Sequence, residues 1–427
     1  MDRVSGRWVT LAAATKPLLP LLSAPAGALP DGVRTQVREL RDLLSANGIG
    51  VLGSERHFSE LTTLILKLTN ACNYACTYCY DFETWERASR MTPEVAVGAV
   101  REALDLSGPI LTVILHGGEP MLMWDLVEDL VVAGERLAAE RGKRLQFVGQ
   151  TNLSRLDDRV VAFSDAHDMA WGVSIDGVPE VHDALRVTHQ GTGTYDRFAD
   201  ALRRYPRFAR RCGVMSTITA VNQGRLLETA RHFRDLGMGS WDWSLFQPIG
   251  RGRVEAQRLR LDIPTLVASW DALFEAVVAG EFDGFKVNPV TKYLDNLASG
   301  PGGNMCMRPE CGAARDLLSV SVDGVIEACD CIDPAGPLSG LGTMADGGLA
   351  AARDSEVARS IRHRDLQSTR CADCIWYGAC GGSCLAHAPS LDDVWDEGCA
   401  LALRAFDRIT DSLAHDDALA RYQRSLS

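Results

Sequence analysis

No stretch of this 427-residue chain approaches the run of about 20 apolar residues that a membrane-crossing helix needs. A basic block is missing as well. The 44 Lys and Arg stand against 56 Asp and Glu, a formal net charge of −12, which disfavours nucleic acid as a partner. A secretory signal is not legible: Lys16 and several prolines interrupt the Ala/Leu-rich stretch over 11–29, and no cleavage-site pattern follows. The expected compartment is therefore the cytoplasm. Histidine is scarce where a zinc site would want it, since His57 is the only one between Arg56 and His116. Cysteine, by contrast, is plentiful at 13 residues. In a reducing compartment, clustered thiols mean metal binding or catalysis rather than disulfides.

The cysteines open with Cys72-Asn73-Tyr74-Ala75-Cys76-Thr77-Tyr78-Cys79, a C-x3-C-x2-C run. It follows residues 61–68, whose short, apolar and partly alternating pattern predicts a buried strand. Three thiolates at the end of a strand can converge on one iron–sulfur cubane, and three ligands leave the fourth iron open to a non-protein ligand. A zinc knuckle is the competing reading. It needs a fourth Cys or His at close spacing, and His57 precedes the strand.

From Leu61 onward strand and helix patterns alternate. Strands are predicted at 61–68, 110–115, 144–149, 169–175, 213–219 and 241–246, with helices near 93–104, 124–140, 156–163, 195–205, 226–236 and 264–279. Thr92-Pro93-Glu94 opens the first helix with an N-cap and a proline at its first position. Alternating βα units imply a parallel sheet with helices outside it. The pattern suits an α/β fold, a partial (β/α)6 barrel, with its active site at the C-terminal ends of the strands.

The cysteine run, with the aromatic Tyr78 before its last thiol, resembles the cluster loop of radical S-adenosylmethionine (radical SAM) enzymes. The resemblance implies that Cys72, Cys76 and Cys79 hold a 4Fe–4S cluster whose open iron binds the methionine moiety of SAM. Reductive cleavage then yields a 5′-deoxyadenosyl radical that takes a hydrogen atom from the substrate. His116-Gly117-Gly118-Glu119-Pro120, after the second strand, is similar to the family's GGE-P motif. That implies that Gly117, Gly118 and Glu119 hold the SAM amino group; glycines admit close backbone approach and a carboxylate accepts from an ammonium. Gln150-Thr151-Asn152 resembles the family's T-N segment, adding Asn152. Ser174-Ile175-Asp176-Gly177, followed by His182-Asp183 and Arg186, resembles the S-x-D-G … H-D … R pattern of peptide-modifying members, adding Ser174, Asp176 and Arg186 to the cofactor-binding set. Asp176 reads equally as the cap of the turn at Gly177, and Arg186 as the arm of a loop-pinning salt bridge. The segment from Gln247 to Arg253, rich in Gly and Arg, is a SAM or substrate contact or a solvated turn.

After the linker signal Gly300-Pro301-Gly302-Gly303 come Cys306, Cys311 and Cys329, then Cys371-x2-Cys374-x5-Cys380-x3-Cys384, then Cys399. Paired C-x2-C is also zinc-ribbon spacing. The full pattern resembles the SPASM domain, which implies two auxiliary 4Fe–4S clusters and three clusters in all. Cys306, Cys311, Cys329 and Cys384 would hold the first, and Cys371, Cys374, Cys380 and Cys399 the second. Fully thiolate-ligated clusters relay electrons. Residues 319–326 alternate around Asp323-Gly324 and predict a hairpin. Cys212 is expected to be buried structure, and Cys331 a spare thiol or an alternative ligand. Asp330, directly after Cys329, matches an Asp that takes a proton from the substrate in sulfatase-maturating members. The alternative is an Asp that fixes the loop through backbone N–H groups. An anionic cluster beside Asp330 would raise its pKa.

The expected division is an N-terminal extension over 1–60, the barrel over 61–300, the SPASM segment over 301–399 and a C-terminal helix over 400–427. Within the extension, a short strand is expected at 8–11 and a helix over 33–44, closed by Asn47-Gly48. The extension resembles the end of the winged-helix leader-binding modules fused to peptide-modifying enzymes; a packing extension is the alternative. The resemblance covers residues 61–399 and implies an oxidoreductase that modifies a ribosomally made precursor peptide (a RiPP maturase), with side-chain cross-linking the leading reaction. An electron donor such as flavodoxin or ferredoxin is the implied partner. A formylglycine-forming sulfatase maturase, a small-molecule radical SAM dehydrogenase and a zinc-stabilised binding protein are the alternatives.

Overall fold

The computed structural model describes residues 9, 11, 13–22, 29–47, 49, 60–80, 88–299, 304–309 and 311–426. Gly48, the 300–303 linker and parts of the expected 8–11 strand and of the leader-like extension lie outside the described residues. Contacts divide the chain into two units. One comprises Phe58–Thr291, Gly312–Arg364 and Ala418–Ser427; the other comprises Met1–His57, Lys292–Cys311 and Asp365–Asp417.

The first unit is built on a sheet whose strands follow one another in sequence order. They are β1 (Leu61–Thr69), β2 (Ser107–Gly117), β3 (Arg144–Thr151), β4 (Ala170–Ser174), β5 (Gly213–Ile218), β6 (Ser240–Leu245) and the two-residue β7 (Lys286–Val287). Each pairs parallel with the next. The helices Pro93–Leu106, Trp124–Glu140, Asp158–Ala166, Tyr195–Arg204, Leu226–Asp235 and Ile263–Val278 lie between them in sequence, each within a few residues of its expected span. Thr92 caps the first by accepting from Val95 N at 3.3 Å, and Asp157 caps the third by accepting from Val160 N at 2.9 Å. Two short helices, Pro179–Leu185 and Pro206–Arg211, were not expected. Each is too brief to show a 3.6-residue period, although each begins on a proline suited to a first turn.

The expected hairpin forms from β8 (Leu317–Val320) and β9 (Val325–Glu327). Strand β8 docks parallel on β1, with Thr63 opposite Leu317 and Leu66 opposite Val320. With β10 (Gly342–Thr343) the sheet has ten strands, in the order β10-β9-β8-β1-β2-β3-β4-β5-β6-β7. Contacts therefore group 312–364 with strands β1–β7 rather than with the rest of the 301–399 segment. The helix Ala418–Ser425 also belongs to this unit. Its buried Tyr422 accepts from Val287 N (2.8 Å) and donates to Phe285 O (2.9 Å), satisfying backbone groups at β7.

In the second unit the helix Asp31–Ala46 buries Val37 and Leu40 while Leu43 remains 44% exposed, a narrower apolar stripe than expected. The helix Asp396–His415 stacks Phe406 on Trp376 and meets Tyr293 edge-on, both at 5.4 Å between ring centroids. A single helix was expected over 400–427. The chain instead turns extended at Asp416 and starts a second helix at Ala418.

Candidate active site

Strand β1 runs into the cysteine loop, which is held by backbone bonds from several segments. Ala75 N donates to Val187 O (2.6 Å), Thr77 N to Leu185 O (2.9 Å) and Arg251 N to Cys79 O (2.9 Å). Glu119 N donates to Ala71 O at 2.9 Å. At Gly118 a Cβ would lie 1.9 Å from that same carbonyl oxygen, so only glycine lets the end of β2 pass this close to the loop. The unexpected helix Pro179–Leu185 thus delivers the carbonyls of Leu185 and Val187 that fasten the cysteines.

Cys72, Cys76 and Cys79 form no disulfides. Burial pushes the Cys72 thiol up, and the charges of Glu119, Cys76 and Cys79 push it the same way, so the three sulfurs feel one another. Asn152 Nδ2 donates toward Cys72 Sγ at 3.8 Å, and Arg186 Nη1 toward Cys76 Sγ at 4.0 Å. Mutually repelling thiols in a desolvated place are a poor protein interior and a good metal site, because bound iron displaces the protons and supplies positive charge. This donor set fits a 4Fe–4S cluster.

Glu119 is 1% exposed. Its Oε1 accepts from Thr151 Oγ1 (2.7 Å) and Met121 N (3.1 Å), and its Oε2 from Asn152 N (2.8 Å). Burial raises its pKa, partly offset by the bonds from Asn152, Thr151 and Met121. A carboxylate offers about four lone-pair positions. With three taken, an acceptor remains for a ligand ammonium, which would also neutralise the buried charge. Gly117, Gly118, Glu119, Asn152 and Cys72 thus meet at the ends of β1, β2 and β3. Ser174 closes β4 and accepts from Gln150 Nε2 at 2.7 Å.

Asp176 and Arg186 meet each other. Arg186 donates through Nε to Oδ2 (3.0 Å) and through Nη2 to Oδ1 (3.2 Å), while Tyr78 Oη donates to Oδ2 at 2.6 Å. Thr217 N adds a bond to Oδ1 at 2.9 Å. The guanidinium lies 5.3 Å from the centre of the Tyr78 ring. Both charged groups are buried, so the pair pins the middle of the cysteine loop to β4 and β5. In the 247–253 loop, Arg251 holds Cys79 through its backbone, and Arg253 pairs with Asp333.

Asp330 lies in the same unit. Tyr80, the residue after Cys79, donates from Oη to Asp330 Oδ2 at 3.0 Å and lies 3.4 Å from both ring nitrogens of His116. Lys67 Nζ donates to the Asp330 carbonyl oxygen at 3.4 Å. Cys329, Asp330 and Cys331 hold their ligand atoms within 4.8 Å of one another. Burial raises the Asp330 carboxyl, but the charges of His116 and Lys67 and the bonds from Cys329 and Tyr80 outweigh it and hold the pKa below the usual range. The upward shift expected from sequence would come from an anionic cluster beside Asp330; the protein's own cations act the other way. Lys67, Tyr80 and His116 had no role in the sequence reading. Lys67 did carry a signal, as the single charge within an apolar strand.

In the second unit, Cys371, Cys374, Cys380 and Cys399 line one cavity of about 270 Å³ together with Trp376 and Phe406. Burial raises Cys399, and Cys371 and Cys374 add to the shift. Burial likewise raises Cys380 to about 11. Four thiols around one space fit a fully ligated cluster. Cys306, Cys311 and Cys384 belong to this unit, and Cys329 to the first. Cys212 is buried, as expected, with burial pushing its thiol up to about 12.

Residues 66–233 match the family model of the Radical SAM superfamily. Over 339 residues the chain is 21% identical to a cysteine-type anaerobic sulfatase-maturating enzyme of Clostridium novyi (strain NT), spanning 76% of this chain and 88% of that protein. The fold is similar to native anSMEcpe with bound AdoMet and Kp18Cys peptide, with TM-score 0.72 and 17% identity over 86% of this chain and 99% of that one. It is also similar to Streptococcus suis SuiB bound to precursor peptide SuiA, with TM-score 0.59 and 15% identity over 90% of this chain and 87% of that one. Among the described residues, no helix is long and apolar enough to cross a membrane.

Proposed function

We propose, starting from the Radical SAM superfamily match over residues 66–233, that this chain is a SPASM-type peptide maturase that oxidatively cross-links a side chain of a ribosomally made precursor peptide. The observation that carries the maturase part of this reading is the bond from Tyr80 Oη to Asp330 Oδ2 at 3.0 Å. It brings a carboxylate from beside the second cysteine set to the loop that would generate the radical. When bound, the 4Fe–4S clusters and SAM supply a hydrogen-abstracting 5′-deoxyadenosyl radical and take up the second electron of the oxidation.

The chain's own residues do the rest. Cys72, Cys76 and Cys79 hold the first cluster, and Glu119 receives the SAM ammonium with Gly117, Gly118, Asn152 and Ser174 around it. Asp176 and Arg186 keep the cysteine loop in place. Forming a new bond at a carbon that has lost a hydrogen atom and an electron also releases a proton, and Asp330 accepts it. A carboxylate within hydrogen-bond reach of the substrate can take up that proton. Cys371, Cys374, Cys380 and Cys399 would hold an auxiliary cluster. A cytoplasmic flavodoxin or ferredoxin supplies the electron that starts the reaction.

A second reading, oxidation of Cys or Ser to formylglycine, draws on the Clostridium novyi relative. One experiment separates the two. Anaerobic protein is incubated with SAM, dithionite and the peptides of any short reading frames beside its gene, and the peptides are weighed and sequenced by mass spectrometry. Loss of two hydrogens with a blocked fragment between two residues is the expected result. A hydrazide-reactive aldehyde would select formylglycine, and deoxyadenosine formed only with an amino sugar alcohol would overturn both.

A further inference from the structure

Lys67 interrupts the apolar run Leu64–Leu68 of β1, where an ammonium is harder to bury than a methionine of similar length. Its register partner across the sheet is His116 on β2, so the two side chains share one face at adjoining strand ends. From there the ammonium meets both cysteine loops of this unit. It donates to the backbone oxygen of Asp330 at 3.4 Å, and it lies 5.5 Å from the centre of the Tyr80 ring. We propose that Lys67 is a positioning residue that clamps the Cys329–Asp330–Cys331 loop against Tyr80, and thereby sets where the Asp330 carboxylate stands relative to the peptide substrate. The clamp rests on the maturase reading for its consequence, but not for its geometry.

Three features support the clamp. Tyr80 bonds the Asp330 carboxylate while Lys67 bonds its backbone oxygen and lies near the Tyr80 ring, so Asp330 is held at two points by two neighbouring residues. Lys67 is rooted in a central strand paired on both sides, β2 on one and β8 on the other, which makes it a rigid anchor for a loop. Its charge also acts on Glu327, two residues before Cys329, lowering that carboxyl against the burial that raises it. The ammonium therefore attracts the segment that enters the loop as well as the loop itself.

A misplaced Asp330 leaves the substrate radical without its proton acceptor, so SAM would be cleaved without product. In Lys67→Met holoenzyme, product formed per deoxyadenosine should fall roughly ten- to hundredfold. Hydrogen exchange over 328–332 should quicken. Lys67→Arg, which keeps the charge and donors in a different shape, should recover most of both. An unchanged ratio in Lys67→Met overturns the proposal. So does a fallen ratio with unchanged exchange, because Lys67 would then not be holding this loop. If the wild-type chain processes no peptide at all, the maturase reading fails by itself, and the exchange comparison still decides the clamp.

Discussion

The two cysteine sites that lie wholly within one unit are built on different principles. The Cys72–Cys79 loop leaves the end of a central strand and is fastened by backbone bonds from Val187, Leu185 and Arg251 and by the buried Asp176–Arg186 pair. Cys371, Cys374 and Cys380 ride on turns and one-turn helices and Cys399 on the first turn of the helix Asp396–His415, around an apolar-walled cavity with Trp376 and Phe406 beside the thiols. Gly381 makes the second site possible at φ +70°, where a Cβ would lie 1.8 Å from Arg308 O. The first site offers three thiols and surrounds the missing fourth with Glu119, Asn152 and glycines; the second offers four thiols and hydrophobic walls. An open coordination position needs polar groups that recognise what fills it, whereas a site that relays electrons needs only to be closed and shielded.

That contrast breaks most visibly under cysteine replacement. The triple variant Cys72→Ala, Cys76→Ala, Cys79→Ala should abolish SAM cleavage and lose about four irons of about twelve. Replacing Cys371, Cys374, Cys380 and Cys399 should also remove about four yet leave dithionite-driven SAM cleavage measurable. If both variants lose cleavage equally, the open and closed sites are not functionally distinct. Asp330→Asn keeps the shape of its loop and removes the base, so product should drop about 10²–10⁴-fold with iron content intact. Depleted iron in that variant would assign Asp330 to fixing the loop instead.

A smaller effect tests how the first loop is held. Asp176→Ala leaves Arg186 buried without its partner and should destabilise the barrel unit by about 3–5 kcal/mol, read as a lowered midpoint in urea. An unchanged midpoint would mean that the backbone bonds alone hold the loop. The smallest change expected is at the SAM pocket. Glu119→Ala deletes one charge-assisted acceptor worth roughly 1.5–3 kcal/mol, so SAM affinity by calorimetry should weaken about ten- to hundredfold. Unweakened binding would make Glu119 a turn residue, held by Thr151 and Asn152 for structure only.

Much of this was legible in the chain alone. The strand periods at β1 to β6, the cap at Thr92 and the hairpin around Asp323-Gly324 are local patterns, and local sequence determines them because the interactions that form them are local. Cysteine spacing likewise announced the metal chemistry, since ligands close in sequence cannot be far apart in space. Tertiary structure alone decided what those elements touch. The docking of β8 on β1 joins Thr62 to the Asp316 carbonyl across 254 positions, and nothing in either strand names its partner, because backbone edges are chemically alike. The same holds for Asp176 and Arg186, whose turn-cap, cofactor and salt-bridge readings were equal until burial placed them face to face. Lys67, Tyr80, His116 and Asp330 come from two strand ends and two loops, and no spacing rule links them. Their meeting follows from the parallel register of β1 and β2 and the return of the chain after β9, and that is where the chemistry of the site is set.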